Sequence, residues 1–464
     1  MIRIHSSIHA ALVAAFAAFA AVPHAGADTT TDSEIRALRE QIAALDQKLR
    51  VLERKQELKA EEDAAAAKSR AKVAANDKGF TLGSADGANT FRPRVLIQAD
   101  ARLFLDDGGI PNNDTLVLRR ARLGAEGTFN KLFEYQFVGE FAGSSTSVLD
   151  ANINLALDPR YQVRVGKFKS PVGLEQLQSD AWAFFTERAY PSQLVANRDL
   201  GVYLHGELAG GAISYGLGVF NGLGDGGSTT NADVDDEKEF AARLFFTPFR
   251  NDEDSSLQGL GFGIGGSTTQ TRGATGLTGG YRTDGQQTFF RYRAGTIADG
   301  DVWRVSPQAY WYRGAVGVLG EYVVSVANPR VGAAGATTEL KQTAWQLAAG
   351  YVLTGEDASY RGVVPGRAFD PGAKTWGAFE ITARLANLSV DEDAFPLFAD
   401  PAASAAEALT FGVGLNWYLS RSVRATFNYF QTDFSAAPGA PPVPSNAVIR
   451  QDERAFISRL QLTF

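Results

Sequence analysis

From Phe91 onward, apolar and polar side chains alternate with a period of two. Val95, Ile97, Ala99, Ala101 and Leu103 share one face, and Gln98, Asp100 and Arg102 share the other. Phe133, Tyr135, Phe137 and Phe141 alternate likewise with Glu134, Gln136 and Glu140, and Ala151, Ile153, Leu155 and Leu157 with Asp150, Asn152 and Asn154. Phe379, Ile381, Ala383 and Leu385 continue the pattern, and Phe456, Leu460, Leu462 and Phe464 close the chain against Arg459, Gln461 and Thr463. Each segment runs about ten residues, the length of a tilted strand that crosses a bilayer. A soluble sandwich also alternates, but its strands are shorter and its outward face is polar.

The links between these segments alternate too. Tight turns at Asn130-Lys131, Pro159-Arg160, Gly314 and Ser420-Arg421 separate long links at 169–199, 220–238, 269–300, 327–341, 389–407 and 434–452. Short turns at one end and long loops at the other are the mark of a transmembrane barrel. The pattern predicts an all-β, sixteen-stranded antiparallel β-barrel between 95–104 and 453–464, with fourteen or eighteen strands left open. Thr354–Lys374 is long where a short turn is due. Gln287–Gly295 has strand-like composition but would break the even count, and is assigned to a loop.

Ahead of the barrel the period changes. Arg3, the apolar run Ala10–Val22 and the small residues Ala25-Gly26-Ala27 predict a cleaved export signal over 1–27. Ile35, Leu38, Ile42, Leu45, Leu49 and Leu52 then alternate spacings of three and four with charged flanks, predicting a coiled-coil helix over 28–60. A lone amphipathic helix lying on a core is the competing reading. Residues 61–90 read as linker, and 91–464 as the barrel domain.

Composition narrows the chemistry. The chain has 464 residues, no cysteine, and four histidines, of which only His205 lies outside the export signal. Thiolate metal sites and a histidine-based triad are therefore excluded, no cofactor is implied, and no Gly-x-Ser-x-Gly elbow is present. The formal charge of −7 becomes −8 once Arg3 leaves with the signal, which argues against nucleic acid as a partner. The C-terminal Phe464, closing an amphipathic strand, is the feature through which barrel assembly machinery would read the chain.

Leu118-Arg119-Arg120-Ala121-Arg122, Val165-Gly166-Lys167-Phe168 and Val172-Gly173-Leu174-Glu175 resemble the phosphate-selective porins of the O/P type. The resemblance continues through Thr186-Glu187-Arg188, Leu353-Thr354-Gly355-Glu356, Gly414-Leu415-Asn416-Trp417-Tyr418 and Arg459-Leu460-Gln461, covering the chain from Phe91 to its end. It implies an outer-membrane homotrimer of sixteen-stranded barrels, surrounded by lipid. Its third long loop, here 169–199, would fold into the pore, and its arginines would draw in phosphate, polyphosphate or other small anions. By motif, Arg120, Lys167 and Arg188 fall at the implied constriction and Asp150 on its carboxylate. One position departs: Gln176 stands where the family has an anion-gripping lysine, and Lys169 where its best-known members have an aromatic. That departure removes support for tight phosphate specificity while leaving anion passage supported.

The residues argue the same way. Alternation sends Arg102, Arg120, Arg122, Arg164, Arg243, Arg304, Arg384, Arg424 and Arg459 toward the lumen, where guanidinium forks suit oxyanions. Arg119 is ambiguous, since strict alternation turns it toward lipid. Inward Glu126, Glu134, Glu140, Asp150 and Glu380 keep an unselective nutrient porin open as the alternative. An envelope tether and a barrel enzyme are further rivals. Too short a helix stands against the first, and too few catalytic groups against the second.

Overall fold

The computed structural model describes residues 28–464 apart from 78, 106–112, 230–232, 234, 278, 333 and 441–451. The export signal predicted over 1–27, and most of the link 434–452, lie outside the described residues. The chain divides into two units, 1–70 and 71–464.

In the first unit, helix α1 spans Asp28–Ser69, 42 residues and so about 63 Å long. It outruns the expected 28–60, because the alanine-rich segment read as linker has the highest intrinsic helix propensity. Every seam residue from Ile35 to Leu52 is exposed, with Ile42 at 61% and Leu45 at 63%. Charged flanks pair along the helix, as in Arg50–Asp46 at 3.0 Å.

The second unit opens with a hairpin, Lys72–Asn76 paired to Gly79–Gly83, where the sequence had suggested linker. Its second strand meets the start of the barrel at Leu82 and Phe91, and Phe80 packs edge-on against the terminal Phe464 at 5.9 Å.

Sixteen strands follow. They are β1 Thr90–Phe104, β2 Thr115–Phe129, β3 Phe133–Glu140, β4 Ser147–Asp158, β5 Tyr161–Lys169, β6 Arg198–Leu208, β7 Ile213–Phe220 and β8 Glu239–Phe246. The second eight are β9 Leu260–Gly276, β10 Thr296–Arg313, β11 Val316–Ala327, β12 Leu340–Val352, β13 Ala378–Ser389, β14 Ala405–Tyr418, β15 Val423–Ala436 and β16 Asp452–Thr463. Each pairs antiparallel with its chain neighbour, and β16 pairs with β1 through Leu462 opposite Ile97, closing the barrel. Closure leaves no free edge over the paired span. The alternation resolves as the sequence implied: Leu116, Ile153 and Leu460 are exposed outward, while Gln98, Asp100, Arg384 and Arg459 are buried inward. Among the described residues no helix is long and apolar enough to cross a membrane.

Besides the link between β5 and β6, two further links fold into the lumen. The segment between β9 and β10 carries a miniature hairpin, Tyr281–Arg282 with Thr288–Phe290, so Gln287–Gly295 is indeed loop and not wall. Its Tyr281, Phe289 and Phe290 pack in one cluster with Tyr190, Phe395 and Phe398. The overlong link between β12 and β13 sends Tyr360 inward to stack on Tyr310 at 5.3 Å, which accounts for its length.

Candidate functional site

The segment between β5 and β6 is the largest insertion in the lumen, and its backbone needs partners there because no strand supplies them. The wall from β10 to β16 provides these partners in order. Gln308 Nε2 donates to the Val172 carbonyl at 2.9 Å, and Glu321 accepts from the Leu174 and Glu175 amides at 2.6 and 3.2 Å. Asn416 donates to Phe184 O at 2.9 Å, Arg424 to Ala183 O at 3.0 Å and Gln461 to Ala181 O at 3.1 Å. Tyr360 hydroxyl donates to Leu174 O and so holds the loop from the short-turn end.

Two loop carboxylates complete the anchorage. Glu187 faces Arg119 at 2.6 Å, Arg102 at 3.1 Å and Arg459 at 3.4 Å. Asp180 faces Arg188 at 2.6 Å, Arg120 at 3.1 Å, and also Arg122. Burial alone would push both carboxyls up, but Arg119 and Arg120 hold Glu187, and Arg120, Arg188 and Arg122 hold Asp180, well below the usual range. Arg119 reaches Glu187 because of a β-bulge. Gln98 pairs with Arg120 and Ala99 with Leu118, which leaves Arg119 as the extra residue and turns it inward.

The opposite side of the lumen stays open. A cavity of about 290 Å³ lies between the loop and strands β1 to β6. Its charged lining is Arg94, Arg122, Arg164, Lys169 and Arg198 against Asp150 and Asp180, five cations to two carboxylates. Most of those cations are already paired: Arg94 with Glu126 at 2.5 Å, Arg122 with Glu140 at 2.8 Å, Arg198 with Asp150 at 3.1 Å. Two are not. Lys169 Nζ donates to the Gln178 carbonyl at 2.7 Å, and the Arg164 guanidinium lies over the Phe168 ring at 5.6 Å. Among the described residues neither has a carboxylate within ion-pair distance. A second recess, about 370 Å³, shares Gln136 and Arg164 with the first and reaches Thr81 of the small hairpin.

Of the residues singled out in the sequence, Arg122, Asp150, Arg164 and Lys169 line the cavity. Arg102, Arg120 and Arg188 stand behind it in the ion-paired layer. Lys167 is buried, donating to the Thr229 carbonyl at 2.6 Å, and Gln176 is buried within the loop, donating to Asn197 Oδ1. Sequence reasoning passed over Arg94, Arg198 and Asp180. The available signal was charge balance, since a loop crossing an arginine-rich lumen requires carboxylates of its own.

The pattern that defines the family described as phosphate-selective porin O and P matches residues 91–464. The chain belongs to that family. Its barrel is similar to the solved OmpT of Vibrio cholerae in its trimer form, with a TM-score of 0.50 at 12% identity over 81% of this chain and 100% of that one. The outer-membrane channel DcaP of Acinetobacter baumannii gives 0.51 at 10% identity over 81% and 98%. Salmonella typhi OmpF, solved with daunomycin, gives 0.50 at 13% over 85% and 100%. A sequence search of curated proteins finds no match. As an O/P-family member with this fold, the protein is a porin of the Gram-negative outer membrane, a passive channel and not an enzyme.

Proposed function

We propose that this porin gives passive diffusion to small anions along the open side of its lumen, with inorganic phosphate and polyphosphate inside the class it admits. The observation that carries this is the pair Arg164 and Lys169, cations in the cavity wall without a carboxylate partner. A paired arginine presents a dipole to a passing ion, whereas Arg164, charged at any working pH, presents net charge to the passage, and Lys169 adds a hydrogen-bond donor beside it. Neighbouring paired forks retain donors for an ion stepping between them. The test is a planar-bilayer recording of the purified protein in a potassium chloride gradient. Chloride preference is expected; cation preference overturns the reading, and zero selectivity makes this a general nutrient porin.

The same proposal extends to assembly. Export by the 1–27 segment, recognition of Phe464 during insertion, outer-membrane lipid against the outward apolar face, and a homotrimer are all part of it. Support for the trimer comes from the trimer form of OmpT and from the exposed seam of α1, which buries nothing within one chain. Three copies winding that seam together give it a partner. A tether to the cell wall has no comparable observation behind it.

A further inference from the structure

The cavity wall contains apolar residues that a pathway for hydrated inorganic ions has no use for. On β1 and β3 most inward positions are polar, as the run Gln98, Asp100, Arg102 on β1 and Glu134, Gln136, Glu140 on β3 shows. Leu96 on β1 and Val138 on β3 break that rule, and both line the cavity, as do Phe168 and Leu177. Phe168 is held in place by an edge contact with Phe220 at 5.5 Å, so its ring is a fixed surface.

Resting on the anion reading above, we infer that the cavity favours small organic carboxylates with a compact apolar body over inorganic phosphate. Phosphate carries charge and bound water on every side, and beside Leu96 and Val138 it loses that water without gaining hydrogen bonds. A carboxylate on an apolar body divides its chemistry as the wall does. The charged end meets Arg164 and Lys169, and the body meets Leu96, Val138 and Phe168, surrendering only apolar hydration. At about 290 Å³ the cavity sits at the small end for a ligand pocket, which limits the body to about one ring or a short branched chain.

The experiment titrates benzoate, acetate and inorganic phosphate against chloride current through the full-length protein at neutral pH. Benzoate is expected to half-block at a concentration about tenfold below phosphate and below acetate, acetate having the charge without the body. Leu96→Asn and, separately, Val138→Thr are expected to reduce the benzoate-to-acetate ratio about threefold or more. Phosphate blocking at or below the benzoate concentration overturns the inference. So does acetate equal to benzoate, or a ratio unmoved by both variants. Should one variant fail to assemble, the other still decides. Failure here with chloride preference intact removes only the organic-acid specificity; a cation-selective reversal potential removes the anion reading beneath it.

Discussion

Arg384 on β13 and Arg164 on β5 stand eight strands apart in a barrel of sixteen, facing one another across the lumen. Both were legible as inward arginines by the same alternation, yet their surroundings are opposite. Arg384 is fully buried, donates to the Glu187 carbonyl at 2.9 Å, pairs with Asp284 and lies over the Phe185 ring at 4.5 Å. Arg164 has one aromatic neighbour beneath it and its charge directed at open space. Arg424, Arg459, Arg102 and Arg120 behave like Arg384 and grip the loop. On the function proposed above, the arginine row divides into a scaffold half and a transport half. The difference is whether a loop carboxylate or carbonyl arrives to occupy each guanidinium.

The largest effect should come from breaking the scaffold half. Glu187→Gln leaves Arg119 without its carboxylate and strips one partner from Arg102 and Arg459, which keep Asp100. Leaving buried charge uncompensated costs about 3–5 kcal/mol, toward the lower end here because Asp100 remains. The barrel should lose heat resistance on a gel and show noisy, enlarged conductance as the loop loosens. A variant as heat-resistant as wild type, with quiet current, would mean that the loop is held by its backbone bonds alone.

Next in size is the transport half. Arg164→Gln removes a charge that no carboxylate balances, so the fold should be untouched while selectivity falls. A unit charge at about 4 Å and an effective dielectric near 20 is worth about 4 kcal/mol, and water and counterions reduce that to about 1 kcal/mol. The chloride-to-potassium permeability ratio should drop about fivefold. Arg384→Gln should do the reverse, costing stability and leaving the ratio nearly unchanged. If the two variants behave alike, the division between the halves is wrong.

A smaller effect is expected at Gln176. The family lysine at this position suggests that Gln176→Lys would create phosphate block, but Gln176 is 3% exposed and turned toward Asn197 within the loop. A lysine there is buried beside Arg188 and Arg198 rather than presented to the cavity. Phosphate block in Gln176→Lys should stay within about twofold of wild type, with a lower unfolding temperature as the main consequence. A tenfold stronger block would place the ion path along the loop's buried side.

The strand count, the alternation, the loop 169–199 and the inward arginines were all readable because a closed barrel imposes one periodic rule on every strand. Arg119 was not readable, since a bulge shifts the register by one and nothing in Leu118-Arg119-Arg120 announces it. Lys167 and Gln176 fall at the pore by motif, while their side chains meet a carbonyl of the β7–β8 loop and an amide within the β5–β6 loop itself. Motif position fixes a place along the chain, but the loop's own folding decides which way the side chain points. The helix end at Ser69 has a simpler reason: the segment before it lacks the apolar stripe that marks a packed helix, and alanine's intrinsic propensity carries the helix on without one.

The last effect, read in stability and not in current, concerns Asp284, in the lumen loop between β9 and β10, which links the scaffold half to pH. Burial pushes its carboxyl up to about 6 from an ordinary 3.8, against the pull of Arg384. A raised carboxyl pKa means that the folded state binds a proton more readily than the unfolded state. Stability is therefore gained as pH falls through about 6, and the gain is complete below the unfolded value of 3.8. Between pH 7.5 and pH 5 this one group contributes about 1.4 kcal/mol. Other groups titrate over the same range, so the quantity to measure is the wild-type unfolding temperature minus that of Asp284→Asn, at each pH. That difference should rise by a few degrees on acidification, because asparagine cannot take up the proton. Arg164→Gln, on the far wall, should leave the rise intact, whereas Arg384→Gln should enlarge it by removing the cation that favours the ionised form. If the difference stays flat with pH, Asp284 is ionised and fully compensated, and the scaffold half is as tightly paired there as it is around Glu187.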